Sequence, residues 1–136
     1  PAAPVANYVG AVVAGNLLVF SGQLPIGPAG IAIKGKVGAS VSEEQAKEAA
    51  RLCAINILAQ AKAALGDLSR IRRCIRLGGF VNAVPDYQTI PQIINGASDL
   101  MVDVLGDAGR HAGYAVGVAQ LPLDAPVEVE AMFEIS

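Results

Sequence analysis

The closing segment of the chain constrains the fold more than any other. Val127, Val129, Ala131 and Phe133 alternate there with Glu128, Glu130, Met132 and Glu134. A period of two belongs to a β-strand, whose successive side chains point to opposite faces. The strand predicted over residues 126–135 thus has one apolar face and one that gathers carboxylates. A sheet containing it can bury the first face under helices, but the second cannot be a plain apolar core. The remainder of the chain has to cover both.

Helices for the first face are legible. Ser42 followed by Gln45 three residues on forms a capping box, with Glu43 and Glu44 in the first turn, where they complement the helix dipole. From there Ala46, Ala50, Cys53, Ile57, Ala61 and Ala64, flanked by Leu58 and Leu65, keep a 3.6-residue period up to a stop at Gly66. Residues 87–105 repeat the pattern through Ile90, Ile94, Ala97, Met101 and Val104, with Gly106 as the stop. Strands fill most of the rest. Residues 8–13 and 17–21 are β-prone runs around Ala14, Gly15 and Asn16, which predicts an antiparallel pair. Residues 31–37 read as a shorter strand between Gly30 and Gly38, and residues 112–120 as the strand before last. Over residues 71–84, Ile71, Ile75, Leu77 and Val81 lie on one parity, with Arg72, Arg76 and Asn82 on the other. The order β-β-β-α-β-α-β-β predicts an α+β domain spanning residues 1–136, with two helices packed on one face of the sheet.

Composition limits function. Apolar residues reach 53% and charged ones only 16%, more apolar surface than a domain this small hides by itself. A homo-oligomer is the expected cover for the second sheet face. Ten basic against twelve acidic residues leave a net charge of −2, the wrong sign for tracking phosphates, so nucleic acid is not expected as a main partner. Residues 1–33 carry no charge, but prolines and glycines break them far short of a membrane span, and no basic segment precedes them as in a secretory signal. A reduced, cytoplasmic setting is expected, with Cys53 and Cys74 as buried small hydrophobes.

Residues 30–37 nearly spell a phosphate-binding loop, yet Val37 replaces the hydroxyl that would hold magnesium and no helix opens after it. His111 is the only histidine and has no second ligand at helical spacing, which argues against a metal centre. It is also the one histidine a serine nucleophile could use, and no serine sits in a nucleophile elbow. Arg70, Arg72, Arg73 and Arg76 form either an anion site or a salt-bridged face. Glu128 and Glu130 are the acid/base candidates, because inner-face carboxylates of a low-charge chain shift towards proton transfer. A solvated edge is the alternative reading.

Several segments together resemble one known family. They are Ala6-Asn7-Tyr8; the run Gly15-Asn16-Leu17-Leu18-Val19-Phe20-Ser21-Gly22-Gln23-Leu24-Pro25; the helix around Ala50-Arg51 and Leu58-Ala59; Leu65-Gly66-Asp67-Leu68; Gly79-Phe80-Val81; Asn95-Gly96-Ala97-Ser98-Asp99-Leu100; Ala115-Val116-Gly117-Val118; Leu121-Pro122; and Val127-Glu128-Val129-Glu130-Ala131. Spread over nearly the whole chain, they resemble the Rid family, also called the YjgF/YER057c/UK114 family. The resemblance implies a chorismate-mutase-like mixed sheet and a homotrimer whose sheets face one another around a central barrel, with clefts between subunits. It also implies a small-molecule substrate, a reactive imine or enamine, hydrolysed without metal or organic cofactor. By the same resemblance Glu128 matches the proton-shuttling glutamate and Tyr8 and Asn95 match residues lining the cleft. Ser21 and Gly22 begin the loop beside it, and Gly113, Tyr114 and Ala115 fall on its substrate-binding strand.

One position departs from the pattern. Deaminating members carry an arginine within His-Ala-Arg-Ser-Ala-Val-Gly, where this chain reads His111-Ala112-Gly113-Tyr114-Ala115-Val116-Gly117. Gly113 removes the two charge-assisted hydrogen bonds with which a guanidinium grips a carboxylate, and Tyr114 is bulkier than the usual serine. Arg110, three residues away, points to the other side of a regular strand. Three readings stay open: a deaminase-like hydrolase with altered substrate specificity, a non-catalytic protein binding a metabolite or partner in the same cleft, and the ribonuclease or translation inhibitor described for some relatives.

Overall fold

The computed structural model describes residues 1–136. In chain order come strands β1 (Ala11–Ala14), β2 (Leu17–Phe20), β3 (Ile26–Gly27) and β4 (Gly30–Ile31), helix α1 (Glu43–Leu65), strand β5 (Ile71–Asn82), helix α2 (Ile90–Leu105), and strands β6 (Ala112–Val118) and β7 (Val127–Ile135). Short 3-10 turns occupy Leu68–Arg70, Gly106–Gly109 and Pro122–Asp124. One sheet has the strand order β1-β2-β7-β5-β6, antiparallel except where β5 and β6 run parallel across the α2 connection. Both helices lie on one face. Leu18, Leu77, Val81, Val129 and Phe133 from the sheet meet Ala46, Cys53 and Ile57 of α1 and Ile93 and Met101 of α2 in one buried cluster. No helix is long and apolar enough to cross a membrane.

The Ser42–Gln45 capping box forms in both directions, and the Gly66 N–H closes α1 on the Lys62 carbonyl. The buried face of α1 is wider than the period of Ala46 to Ala61 predicts. Ala64 is exposed, while Ala49, Ala54, Asn56 and Gln60 are buried. The two amides explain the extra width: Asn56 donates to the Leu24 and Ile26 carbonyls at 2.9 and 3.0 Å, and Gln60 to the Ala2 carbonyl at 2.8 Å. They tie the N-terminal segments onto the helix flank. Helix α2 begins at Ile90, three residues after the predicted start, because Pro91 lacks an N–H and is tolerated only in a first turn. Val104, expected to be buried, is exposed.

The strand expected over residues 31–37 is replaced by a loop. β3 and β4 pair only with each other, and Gly35 and Gly38 take φ of 119° and 91°, a left-handed region that breaks any strand. The loop is instead lashed to the far end of β5. Gly35 donates to the Asp124 carbonyl, Val37 to the Asn82 carbonyl, and the Lys36 ammonium to the Asn82 side chain and the Ala119 carbonyl. The predicted strand over residues 8–13 starts only at Ala11, and Tyr8 lies in a bend outside the sheet.

Strand β5 keeps the predicted parity at Ile71, Leu77 and Val81 but loses it between the first two. Between Ile71 and Arg73, and again between Cys74 and Arg76, it carries one more residue than β7 opposite it. Each bulge reverses which side chains face the helices. Between the two bulges Cys74 therefore enters the core in place of Ile75; beyond the second the predicted parity returns, and Asn82, on the outward parity, is buried because the loops around Lys36 and Ala125 cover it, its amide donating to the Ala125 carbonyl at 3.2 Å. Strand β7 alternates without interruption. Its second face lies open in the single chain, carrying Glu128, Glu130 and Met132 beside Val19 of β2, Arg76 and Phe80 of β5, and Tyr114 and Val116 of β6.

Candidate functional site

Four of the predicted residues come together. Glu128, Tyr8, Ser21 and Gly22 line one cleft with residues 2–5 and Gln23, Leu24 and Ile26. Glu128 is placed by the alternation of β7, and the Gln23–Val129 bridge folds the chain after β2 across its path. Gly22 is needed at that crossing, since a Cβ there would lie 2.2 Å from the Glu128 carboxylate. The Ser21 N–H donates to the Gly10 carbonyl and its hydroxyl to the Val9 carbonyl, which sets the segment carrying Tyr8 along the cleft. The Glu128 side chain makes no hydrogen bond or ion pair within the chain. Burial alone lifts its carboxyl above the usual glutamate range.

Asn95, Gly113, Tyr114 and Ala115 border a different recess of about 250 Å³ between α2 and β6, together with Leu77, Pro91, Ile94, Ser98 and His111. Gly113 stands opposite Leu77 on the helix-covered side of the sheet, and Ala115 opposite Gly79. A Cβ at Gly113 would lie 2.8 Å from the Leu77 carbonyl oxygen, so any side chain there requires β6 to move away from β5. Arg110 does not enter the recess; it is 72% exposed and pairs with Asp107 at 3.5 Å. Tyr114 does not fill it either. Its ring crosses to the open sheet face, where it meets Phe80 edge to face at 5.8 Å.

The two groups stay apart in one chain. Glu128 on β7 and Gly113 on β6 are separated by β5, about 10 Å across the sheet, and lie on opposite faces.

One constellation realises at Arg76 the salt-bridged alternative read for the arginine cluster, and a second was beyond the sequence reading. On the open face Arg76 grips Glu130 at 3.0 and 3.2 Å, and the Tyr114 hydroxyl donates to the same carboxylate at 3.0 Å. Glu130 is thus the salt-bridged partner of an arginine, in contrast to the solitary Glu128. Gly78 makes room for the network, because a Cβ there would fall 2.4 Å from the tyrosine hydroxyl. The second is a hydrogen bond between Ser98 and His111 at 2.9 Å in the α2–β6 recess. Of the arginine cluster, Arg70 bonds the Ser136 carbonyl and Arg76 pairs with Glu130, leaving Arg72 and Arg73 exposed without an ion pair. Cys53 and Cys74 are free, buried thiols whose ionisation burial opposes, Cys74 being pushed up to about 12.

Comparison with known proteins accounts for this architecture. Protein TCP17 of Trypanosoma cruzi is 47% identical over 136 residues, which cover 99% of this chain and 85% of that protein. The crystal structure of a protein of unknown function from Agrobacterium tumefaciens is 55% identical and superimposes with a TM-score of 0.94, over 98% of this chain and 86% of the other. A Shewanella oneidensis structure described as a "putative endoribonuclease" reaches a TM-score of 0.95 at 34% identity, over 98% of this chain and 89% of its own. A family model described as "YjgF/chorismate mutase-like, putative endoribonuclease" matches residues 1–135. With the two-helix layer on a mixed sheet matching as well, the chain belongs to the YjgF/chorismate-mutase-like family, the Rid family that its motifs resemble.

Proposed function

We propose that this protein is a Rid-type hydrolase of a small reactive imine or enamine that lacks a carboxylate, acting in clefts between the subunits of a homotrimer. The observation that carries the reading is Glu128: a half-buried carboxyl in an accessible cleft, with no cation beside it and a raised pKa. Imine hydrolysis needs such a group. As a water oxygen bonds to the imine carbon, the carboxylate takes the water's proton and the C=N π pair moves onto nitrogen. The carboxylic acid then returns that proton to the nitrogen to give the carbinolamine; the carboxylate next takes the hydroxyl proton and passes it to the amino nitrogen, and ammonia leaves with the C–N pair as the carbonyl forms. A carboxyl raised above the ordinary glutamate range by burial serves both directions of transfer better than an ordinary glutamate.

Two features support the refinements. The Glu128 group and the Gly113 group face opposite sides of one subunit, so a cleft using both needs a neighbouring copy. The recess at Gly113 contains no arginine or lysine, and a buried carboxylate without a charge partner is strongly disfavoured. A neutral substrate fits where an imino acid does not.

The test is ammonia release from freshly generated imines with and without a carboxylate, comparing the protein with Glu128→Gln. The expected result is acceleration of neutral imines only, reduced about 10²–10⁴-fold by the substitution. Acceleration of 2-iminopropanoate would overturn the missing-clamp argument; acceleration of neither class would leave a metabolite-binding protein. Restoring an arginine at Gly113 tests less, since β6 must shift to admit it. The ribonuclease reading has the family description behind it, but of the former cluster Arg76 is paired with Glu130 and Arg70 is held on backbone carbonyls, which leaves Arg72 and Arg73 as its exposed cations with neither role. RNA cleavage is the control that addresses it.

A further inference from the structure

The Ser98–His111 contact is a directed pair rather than a chance meeting of polar groups. His111 Nδ1 lies 2.6 Å from the Gly109 carbonyl oxygen, which can only accept, so Nδ1 carries the ring proton. Nε2 is then an acceptor, and the Ser98 hydroxyl donates to it at 2.9 Å. The hydroxyl proton is committed to a base, and the base is oriented by a third group. Gly109 holds its place only as glycine, since a Cβ would lie 2.1 Å from the Met101 carbonyl oxygen. The serine oxygen faces the recess whose wall is the bare backbone of Gly113, with the Asn95 amide one helical turn before Ser98 on the same border.

We propose that Ser98 and His111 form a nucleophilic dyad, a second reactive centre within one subunit, that takes short-chain acyl esters. Ser98 Oγ bonds to the ester carbonyl carbon while its proton passes to His111 Nε2. The carbonyl π pair moves onto oxygen, where the Asn95 amide can donate to it. Collapse breaks the bond to the alkoxide, which leaves with the Nε2 proton. Water then attacks the acyl-serine, gives one proton to Nε2, and the acid departs as that proton returns to Ser98. The open recess of about 250 Å³ gives an acyl group of a few carbons room beside Ser98. Because a backbone carbonyl replaces the carboxylate of a full triad, the imidazolium is stabilised less and turnover is expected to be slow.

The experiment is covalent capture in the unaltered protein, using p-nitrophenyl acetate and a fluorophosphonate, with intact-mass and peptide mapping. One adduct per chain on Ser98 is expected, absent in Ser98→Ala. Its rate of formation should fall about 100-fold in His111→Gln, with the far-ultraviolet spectrum unchanged. Labelling elsewhere, no labelling, or an equal rate in His111→Gln would overturn the proposal and leave the pair as a staple between α2 and β6. The unaltered protein reads the centre directly, so the result does not depend on a variant folding.

Discussion

A half-buried carboxyl with no partner opposes folding once it ionises, which links the chemistry of Glu128 to stability. Its folded pKa lies above the unfolded value, so the penalty is absent at acid pH, where both states are protonated. It grows as the pH rises from the ordinary glutamate range through the raised value. Glu128→Gln should therefore raise the urea midpoint at pH 7.5 and leave it unchanged near pH 3, while removing imine hydrolysis; an equal gain at both pH values would mean that burial is not the cause. Tyr114 makes the opposite case. Its hydroxyl bond to Glu130 is partly exposed, and Tyr114→Phe should cost about 0.5 kcal/mol in denaturant unfolding, with Arg76 and Glu130 still paired. Glu128 was legible because a period of two put it on the face that could not be core. The Ser98–His111 pair was not, because a 3-10 turn stands between α2 and β6 and no local pattern says where that turn delivers His111.

Elements were legible where their signals are local. Ser42 and Gln45 mark the start of α1 and Gly66 its end with residues that act on the adjoining turn, and Ser42→Ala should cost about 1 kcal/mol by freeing the N–H it caps. Strand β5 defeated the same reasoning because its two bulges exist only relative to β7. One extra residue in each turns Cys74 inward between them and restores the parity beyond, without leaving a mark in the strand's own alternation. Helix packing hides a similar dependence. Gly96 of α2 lies against α1 so closely that a Cβ would stand 2.2 Å from the Lys47 carbonyl oxygen. That contact is backbone, which cannot rotate aside, so Gly96→Ala has to push the helices apart. A loss of about 1–3 kcal/mol in unfolding free energy is expected, although alanine is the better helix former. Because Asn95 and Ser98 ride on the same helix, the substitution should also slow covalent capture at Ser98.

At the scale of the molecule, the open sheet face decides what the protein is. Val116 and Tyr114 are each 43% exposed there in the single chain, beside Met132, Val19 and a paired Arg76–Glu130. A surface that mixes exposed apolar side chains with a paired charge suits the face that we propose meets copies of itself. The same face carries Glu128, so assembly and chemistry are coupled in the proposed trimer. Sedimentation should give a particle of three times 13.9 kDa, and Val116→Asp, which adds a charge to the face without touching the helix side, should shift it towards single chains. Imine hydrolysis is then expected to fall with the trimer, because the Gly113 recess of one subunit no longer meets the Glu128 cleft of the next. Capture at Ser98 should survive, because Ser98, His111 and Gly109 belong to one chain. A single-chain particle that still hydrolyses imines would separate the two properties and place the whole reaction within the Glu128 cleft.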